Sequence, residues 1–533
     1  MSQLALKSKS LGGTAAAFAL AAVFSAAGTA PAHAQVTGLY GGGGTFAEKV
    51  YRDIMNCYGN TSGGETTANL AAPPATCNAA APYRSTIELL YVGVGSGNGL
   101  DAFVNHDPAM YTKGTRTPDN PPINGTTDLG SFFGTGVGAA WVPSATGTPY
   151  PKVSYTGSDD PFTASRLTTY NTNAAAGHWG NLIQVPAFVG AVAIGFHPTA
   201  GWNEHGKKPA GGLNSSLVDF STNTWCGIYT GAITDWSDPA ITADNGGVQL
   251  GSGTITVVYR NDGSGTTFIF ANGFIHQCAL TSHPVPASWQ TSGGNASGTS
   301  NNNWFINLDS AHANLLPANF VGAPGNGGIK STVNSTVGAV GYMSTDFVLP
   351  IDTTGPKAAN LQTYYTLVNA LAPAFKAASF KSANLIMSTI KAPLSTAASC
   401  PVGTAAGQSP DGICSHNPLN WGATNPTPLS TGAYPIGGFT FIDLYTCYAS
   451  ATEVNALAGT TAGSLGYFRW YFGSATENGG KVKAALNANG FATVPGSWSG
   501  GAKKLIATDK KTKMSTPGTA NTGCALVPAG GGA

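Results

Sequence analysis

The chain has 533 residues, of which 42% are hydrophobic, so it is long enough and apolar enough to bury more than one ordinary core. Only 9% of its residues are charged, against an ordinary share of about 25%. The formal net charge is +1, which argues against nucleic acid or an anionic membrane as a partner, since both call for a basic surface.

The first elements concern export. Lys7 and Lys9 form a positive start, residues 11–30 are mostly apolar, and Ala32-His33-Ala34 is a small-x-small cleavage triplet before Gln35. A cleaved leader over 1–34 is expected, with a periplasmic or secreted mature protein of nearly neutral charge. The rival reading, a membrane anchor, is weakened by the Gly, Ala, Ser and Thr that dilute the segment. Eight cysteines in an exported chain imply four disulfides. Connectivity is not fixed by sequence; proximity favours Cys57–Cys77 and Cys400–Cys414, with Cys226–Cys278 and Cys447–Cys524 completing the set.

From Val36 the pattern predicts a short strand, a glycine turn at 41–44 and a helix over about 46–56. A strand at 87–94 follows, then a second glycine turn, Gly95-Ser96-Gly97-Asn98-Gly99, leading into 100–104. Residues 106–150 are rich in Gly, Pro and Thr and read as an inserted loop. The run 181–194 is almost continuously apolar, as in a strand buried on both faces. Elements at 225–233, 254–274 and 337–342 come next, with loops at 292–303 and 392–432. A strand at 434–448 and a helix near 462–472 precede the tail. Alternating strands and helices indicate an α/β fold with mostly parallel sheets.

The most informative segment is 257–267, Val-Val-Tyr-Arg-Asn-Asp-Gly-Ser-Gly-Thr-Thr. A β-branched strand from Thr254 ends at Tyr259, Gly263, Ser264 and Gly265 make a turn, and an apolar helix begins near Thr267. A helix start exposes unpaired N–H groups that suit an anion. Arg260 adds a planar fork of donors matched to a tetrahedral oxyanion, and Asp262 stands where it can hold that fork. These are the parts of a phosphate clasp.

The segment resembles the Arg-x-Asp-Gly-Ser-Gly-Thr signature of periplasmic phosphate-binding proteins, the solute receptors of phosphate ABC importers. Further blocks fall in the family's order: Gly44-Thr45-Phe46, Gly157-Ser158-Asp159-Asp160-Pro161, Trp225-Cys226-Gly227-Ile228-Tyr229-Thr230-Gly231, Ile233-Thr234-Asp235-Trp236 and 338–342. The resemblance implies a two-lobe α/β fold of type II with mixed sheets and two crossing hinge strands. One lobe would comprise 35–195, with the insertion 106–150, together with 436–533. The other would be 196–435, with the insertion 392–432.

Carried over residue by residue, the resemblance implies phosphate binding by the Thr45 hydroxyl, the Phe46 amide, Ser96, Arg260, Ser264, Gly265 and Thr266. Asp262 would orient the arginine. Asp159 would accept the hydrogen of protonated phosphate and so reject sulfate. The adjacent Asp160 competes for that role, and the Ser158 and Pro161 alignment favours Asp159. Phe46 also reads as a core residue, Ser96 as a helix cap and Asp159 as a turn residue before Pro161.

No nucleotide loop, hydrolase elbow or metal-ligand spacing stands out, so no cofactor, metal or covalent chemistry is expected. The expected protein is a monomeric, non-enzymatic phosphate receptor whose partners are phosphate and, by resemblance, an inner-membrane ABC permease. Two alternatives stay open: a secreted phosphatase-like relative, and an extracellular surface or matrix protein on the same fold.

Overall fold

Strands β1 (Thr37–Gly43), β2 (Ile87–Gly93), β3 (Tyr155–Ser158), β4 (Leu182–Phe196), β5 (Thr256–Arg260), β6 (Phe320–Ala323), β7 (Ala339–Ser344) and β8 (Gly437–Tyr445) build one mixed sheet in the order β2-β1-β3-β8-β4-β7-β5-β6. The computed structural model describes residues 37–59, 83–84, 86–113, 152–203, 218–294, 301–394, 413–520, 522–528 and 530–533. Two short strands, Lys357–Ala358 and Ala492–Thr493, pair with β4 off this path.

β4 joins the two halves of the sheet. Its first part runs antiparallel to β8, from Leu182 opposite Tyr445 to Ala191 opposite Gly437. Its last part, Val192–Phe196, pairs instead with β7. All of its residues are buried, as the apolar run in the sequence requires, and each large side chain there contributes roughly 1.5–3 kcal/mol by leaving water. The expected lobe boundary after residue 195 therefore falls inside an unbroken strand. On one side β1 lies parallel to β2 and β3; on the other β5 lies parallel to β6 and β7. The antiparallel pairs around β4 make the sheet mixed rather than mostly parallel.

Four strands feed directly into helices: β1 into α1 (Glu48–Tyr58), β2 into α2 (Ser96–Asn105), β5 into α3 (Gly265–Cys278) and β6 into α4 (Gly325–Ser335). Each helix therefore starts at the carboxyl end of its strand, where α/β sheets bind ligands.

Several expected boundaries shift. Gly41–Gly43 are not a turn but the end of β1, because missing side chains let neighbours close in. A Cβ on Gly41 would fall inside the Tyr155 ring, and Gly43, at φ 136°, has the Gly157 carbonyl in the place of a Cβ. The second glycine segment is likewise not a turn beyond Gly95, since α2 begins at Ser96. The segment at 225–233 is the helix Thr222–Thr230, and the late helix is only Tyr467–Tyr471. The Cys226–Cys278 and Cys447–Cys524 bridges form as expected, with Cα separations of 5.6 and 5.4 Å. Cys57 and Cys414 are also disulfide-bonded, but their expected partners Cys77 and Cys400 lie outside the described residues, as do the leader and most of the insertion 106–150.

Candidate functional site

The four helix starts meet around Asp159 and Arg260. From one half of the sheet, Gly44 closes β1 by donating its N–H to the Gly157 carbonyl at 2.8 Å. Its open face looks onto Asp159 and Ser96, whose Oδ2 and Oγ would each lie 3.0 Å from a Cβ there. From the other half, the Gly263 carbonyl accepts the Gly97 N–H at 3.0 Å. A Cβ on Gly265 would strike Ser96 Oγ and Asp159 Cβ. Glycine at 44, 95, 263 and 265 is what lets the backbones approach this closely.

Arg260 ends β5 and is buried. Its Nε and Nη2 donate to the two carboxylate oxygens of Asp262 at 2.6 and 2.5 Å, a fork-to-fork pair. Burial works against its charge, and the Asp262 carboxylate outweighs it, holding the guanidinium above its ordinary value. Nη1 turns the other way, 3.4 Å from Thr266 Oγ1. Asp262 Oδ1 also accepts the Gly325 N–H at the start of α4, at 3.0 Å.

Asp159, just past β3, is 1% exposed. Oδ1 accepts the Thr440 hydroxyl at 2.7 Å, whereas Oδ2 has no hydrogen-bond partner among the described residues. Burial pushes its carboxyl up to about 7, against the Thr440 hydrogen bond and the Arg260 charge. Asp160 points elsewhere: its Oδ2 accepts from Asn302 Nδ2 at 2.9 Å and from Arg166 Nη1 at 3.4 Å.

The remaining residues named from sequence divide by role. Thr45 is buried in the turn between β1 and α1, and Ser96 is buried at the start of α2. Ser96 Oγ accepts the Asp159 N–H at 3.3 Å. The Phe46 ring is in the core against Phe188 and Phe491, at centroid distances of 6.4 and 5.4 Å, so only its amide is available to a ligand. Ser264 caps α3, its Oγ accepting the Thr267 N–H at 3.1 Å. Gly265 and Thr266 open that helix and carry first-turn N–H groups with no intrahelical acceptor.

Sequence reasoning missed three neighbours. Asn326, in the first turn of α4, donates its backbone N–H to Thr45 Oγ1 at 3.1 Å. Thr440 comes from β8, and Tyr342 OH accepts the Arg260 N–H at 3.1 Å. For Asn326 a signal was present: Pro324-Gly325-Asn326 after the short strand Phe320–Ala323 repeats the strand–glycine–helix order of the Arg260 segment. Behind Asn326, Ser344 donates to Asp346 at 2.6 Å, and Lys49 of α1 and Lys330 of α4 share Asp352 at 2.8 and 2.7 Å. Burial works against the Asp352 charge, but the two lysines hold its carboxyl down to about 2.

Around Asp159 and Arg260 the arrangement presents N–H, O–H and guanidinium donors with one carboxylate oxygen that has no partner among the described residues. Such a set suits an oxyanion that bears at least one hydrogen.

The chain resembles known proteins in sequence and in fold. A family model described as the PBP superfamily domain matches residues 29–397. Alkaline phosphatase L of Pseudomonas aeruginosa (strain UCBPP-PA14) is 28% identical over 414 residues, covering 76% of this chain and 80% of that protein. A phosphate-binding protein from an unknown prokaryotic organism is 28% identical over 419 residues, covering 76% of this chain and 85% of its own length. Among solved structures, a high affinity periplasmic phosphate-binding protein bound with phosphate superposes with a TM-score of 0.55 at 23% identity, covering 90% of this chain and 96% of that one. That last likeness is one of fold.

Proposed function

Because the chain belongs to the PBP superfamily, we propose that it is an exported receptor that captures inorganic phosphate between its two lobes and presents it to an ABC permease. The lobes divide as residues 35–195 with 436–533, and 196–435. The mature protein acts as a monomer in the periplasm or outside the cell. Its two described disulfides fit an oxidising compartment.

The observation that carries the reading is Asp159 Oδ2, buried and without a partner among the described residues, beside a paired Arg260. Donors alone would serve any tetrahedral oxyanion. A carboxylate oxygen serves only one that brings a hydrogen, as phosphate does near neutral pH and sulfate does not. Facing it with a bare oxyanion oxygen costs on the order of 10²- to 10³-fold in affinity. Thr45, the Phe46 amide and Ser96 supply donors from one lobe. Arg260, Ser264, Gly265 and Thr266 supply them from the other, with Asp262 fixing the arginine. Binding bridges the lobes, and the closed form is what a permease recognises.

One observation favours a second reading: a relative covering most of the chain is called an alkaline phosphatase. Two measurements on the purified mature protein separate the readings. Calorimetric titration is expected to show one phosphate site and no sulfate binding, and incubation with p-nitrophenyl phosphate no turnover. Sulfate binding equal to phosphate overturns the receptor reading; turnover lost in Arg260→Ala establishes the enzyme.

A further inference from the structure

Asn326 touches both lobes. Its backbone N–H donates to Thr45 Oγ1 at 3.1 Å, and its Nδ2 lies 3.4 Å from Thr266 Oγ1 and 3.3 Å from Ser344 Oγ. The orientation of its amide follows from Ser344. That hydroxyl gives its hydrogen to Asp346 Oδ1 at 2.6 Å, so the Asn326 atom facing it must be the donating nitrogen.

These contacts determine what the two threonines can do. A hydroxyl has two lone pairs and one hydrogen. At Thr266 the lone pairs face Arg260 Nη1 and Asn326 Nδ2, which leaves only the hydrogen to act. At Thr45 the Asn326 backbone N–H takes one lone pair and leaves the second lone pair and the hydrogen. Neither hydrogen has an acceptor among the described residues. Asn326 itself is fully buried and leaves Oδ1 without a partner there. That orphan acceptor costs stability, and a side chain kept only for packing would not carry it.

We propose that Asn326 is a positioning residue whose side chain locks the Thr266 hydroxyl as a donor toward the captured anion, while its backbone N–H meets Thr45 of the other lobe. Its consequence is a site of fixed polarity. The Thr266 hydroxyl points its hydrogen at the anion, and the Asp159 carboxylate remains the acceptor for the anion's own hydrogen. The inference rests on the phosphate reading and adds to it a residue that acts through another.

A double-mutant cycle on the full mature chain tests it, with inorganic phosphate as the probe and calorimetry as the readout. Asn326→Ala is expected to weaken binding roughly tenfold, and Thr266→Val by a similar or larger factor. The double variant should be no weaker than Thr266→Val alone within about twofold, because the asparagine acts through that hydroxyl. Asn326→Asp keeps the shape but replaces the donor with an acceptor that draws the Thr266 hydrogen away, so it should lose more affinity than Asn326→Ala. Should the alanine variant fail to fold, the same cycle run with Asn326→Asp carries the test. Losses that multiply in the double variant, or an aspartate variant that binds as well as the alanine one, overturn the inference. A wild-type protein that ignores phosphate overturns the receptor reading with it, whereas a wild type that binds, with independent losses, overturns this inference alone.

Discussion

Thr440 donates its hydroxyl hydrogen to Asp159 Oδ1 at 2.7 Å, and the other carboxylate oxygen, Oδ2, is left buried without a partner among the described residues. Thr440 stands on β8 and Asp159 at the end of β3, strands paired antiparallel with Phe441 opposite Ser158. The sheet therefore fixes which carboxylate oxygen faces the site. Replacing Asp159 with asparagine puts a donor within the same outline. Asp159→Asn is expected to weaken phosphate binding by about 10²-fold and to let sulfate compete. Competition titrations check this, and continued exclusion of sulfate by the variant would show that selectivity lies elsewhere.

Arg260 is held at both ends of its fork, so charge alone should not replace it. Lysine keeps the charge but cannot engage both Asp262 oxygens while also reaching Thr266. Arg260→Lys is expected to lose at least about 10²-fold in phosphate affinity while remaining folded. An affinity within a few fold of wild type would mean that the anion is held by the helix starts without the guanidinium.

The ligand-free protein should gain stability as pH falls from 8 toward 5. Burial raises the carboxyls of Asp53, Asp159 and Asp346 to about 7 and that of Asp160 to about 6. Between the unfolded carboxylate range near 4 and these folded values, the native state holds more protons than the unfolded one. Unfolding free energy therefore decreases as pH rises through that window. Asp352, held down to about 2, acts oppositely only below pH 4, and His106, lowered by burial to about 4, opposes the slope up to about pH 6.5 without outweighing the four carboxyls. Thermal unfolding from pH 5 to 8 without phosphate measures the slope, and a rising midpoint with pH contradicts the assignment.

Lys49 links α1 to the segment following β7 through Asp352 and the Asp346 carbonyl, at 2.8 and 3.2 Å. Removing one partner from a buried ion cluster costs about 3–5 kcal/mol, and Lys330 remains on Asp352, so Lys49→Met should fall near the lower figure. Urea unfolding reads this directly. A variant as stable as wild type would mean that Lys330 alone satisfies the carboxylate.

Much of this site is legible in the sequence because its parts are local. The Arg260–Thr266 segment carries strand, turn, cap and charge pair within a few residues, and Gly44-Thr45 and Ser96 sit in similar strand–glycine–helix contexts. What the sequence hides is long-range. Thr440 meets Asp159 only through the β8–β3 register, and Asn326 meets Thr45 only because α1 and α4 start from opposite halves of one sheet. Glycine was misleading in the opposite direction. Gly41–Gly43 look like a turn, yet they extend a strand, since their missing side chains make room for Tyr155 and the Gly157 carbonyl. The Ser158 and Pro161 alignment favours Asp159 over Asp160 from sequence, but the contacts of Asn302 and Arg166 that draw the second carboxylate aside are long-range or conformational and were not legible there.

The most direct test is a crystal structure of the mature protein grown with phosphate. One phosphate ion is expected between the lobes, taking hydrogen bonds from Thr45, the Phe46 amide, Ser96, Arg260 and the Gly265–Thr266 helix start. One of its oxygens should donate to Asp159 Oδ2. A phosphate bound elsewhere, or an empty clasp at saturating phosphate with Arg260 and Asp159 turned from a common center, would contradict the account.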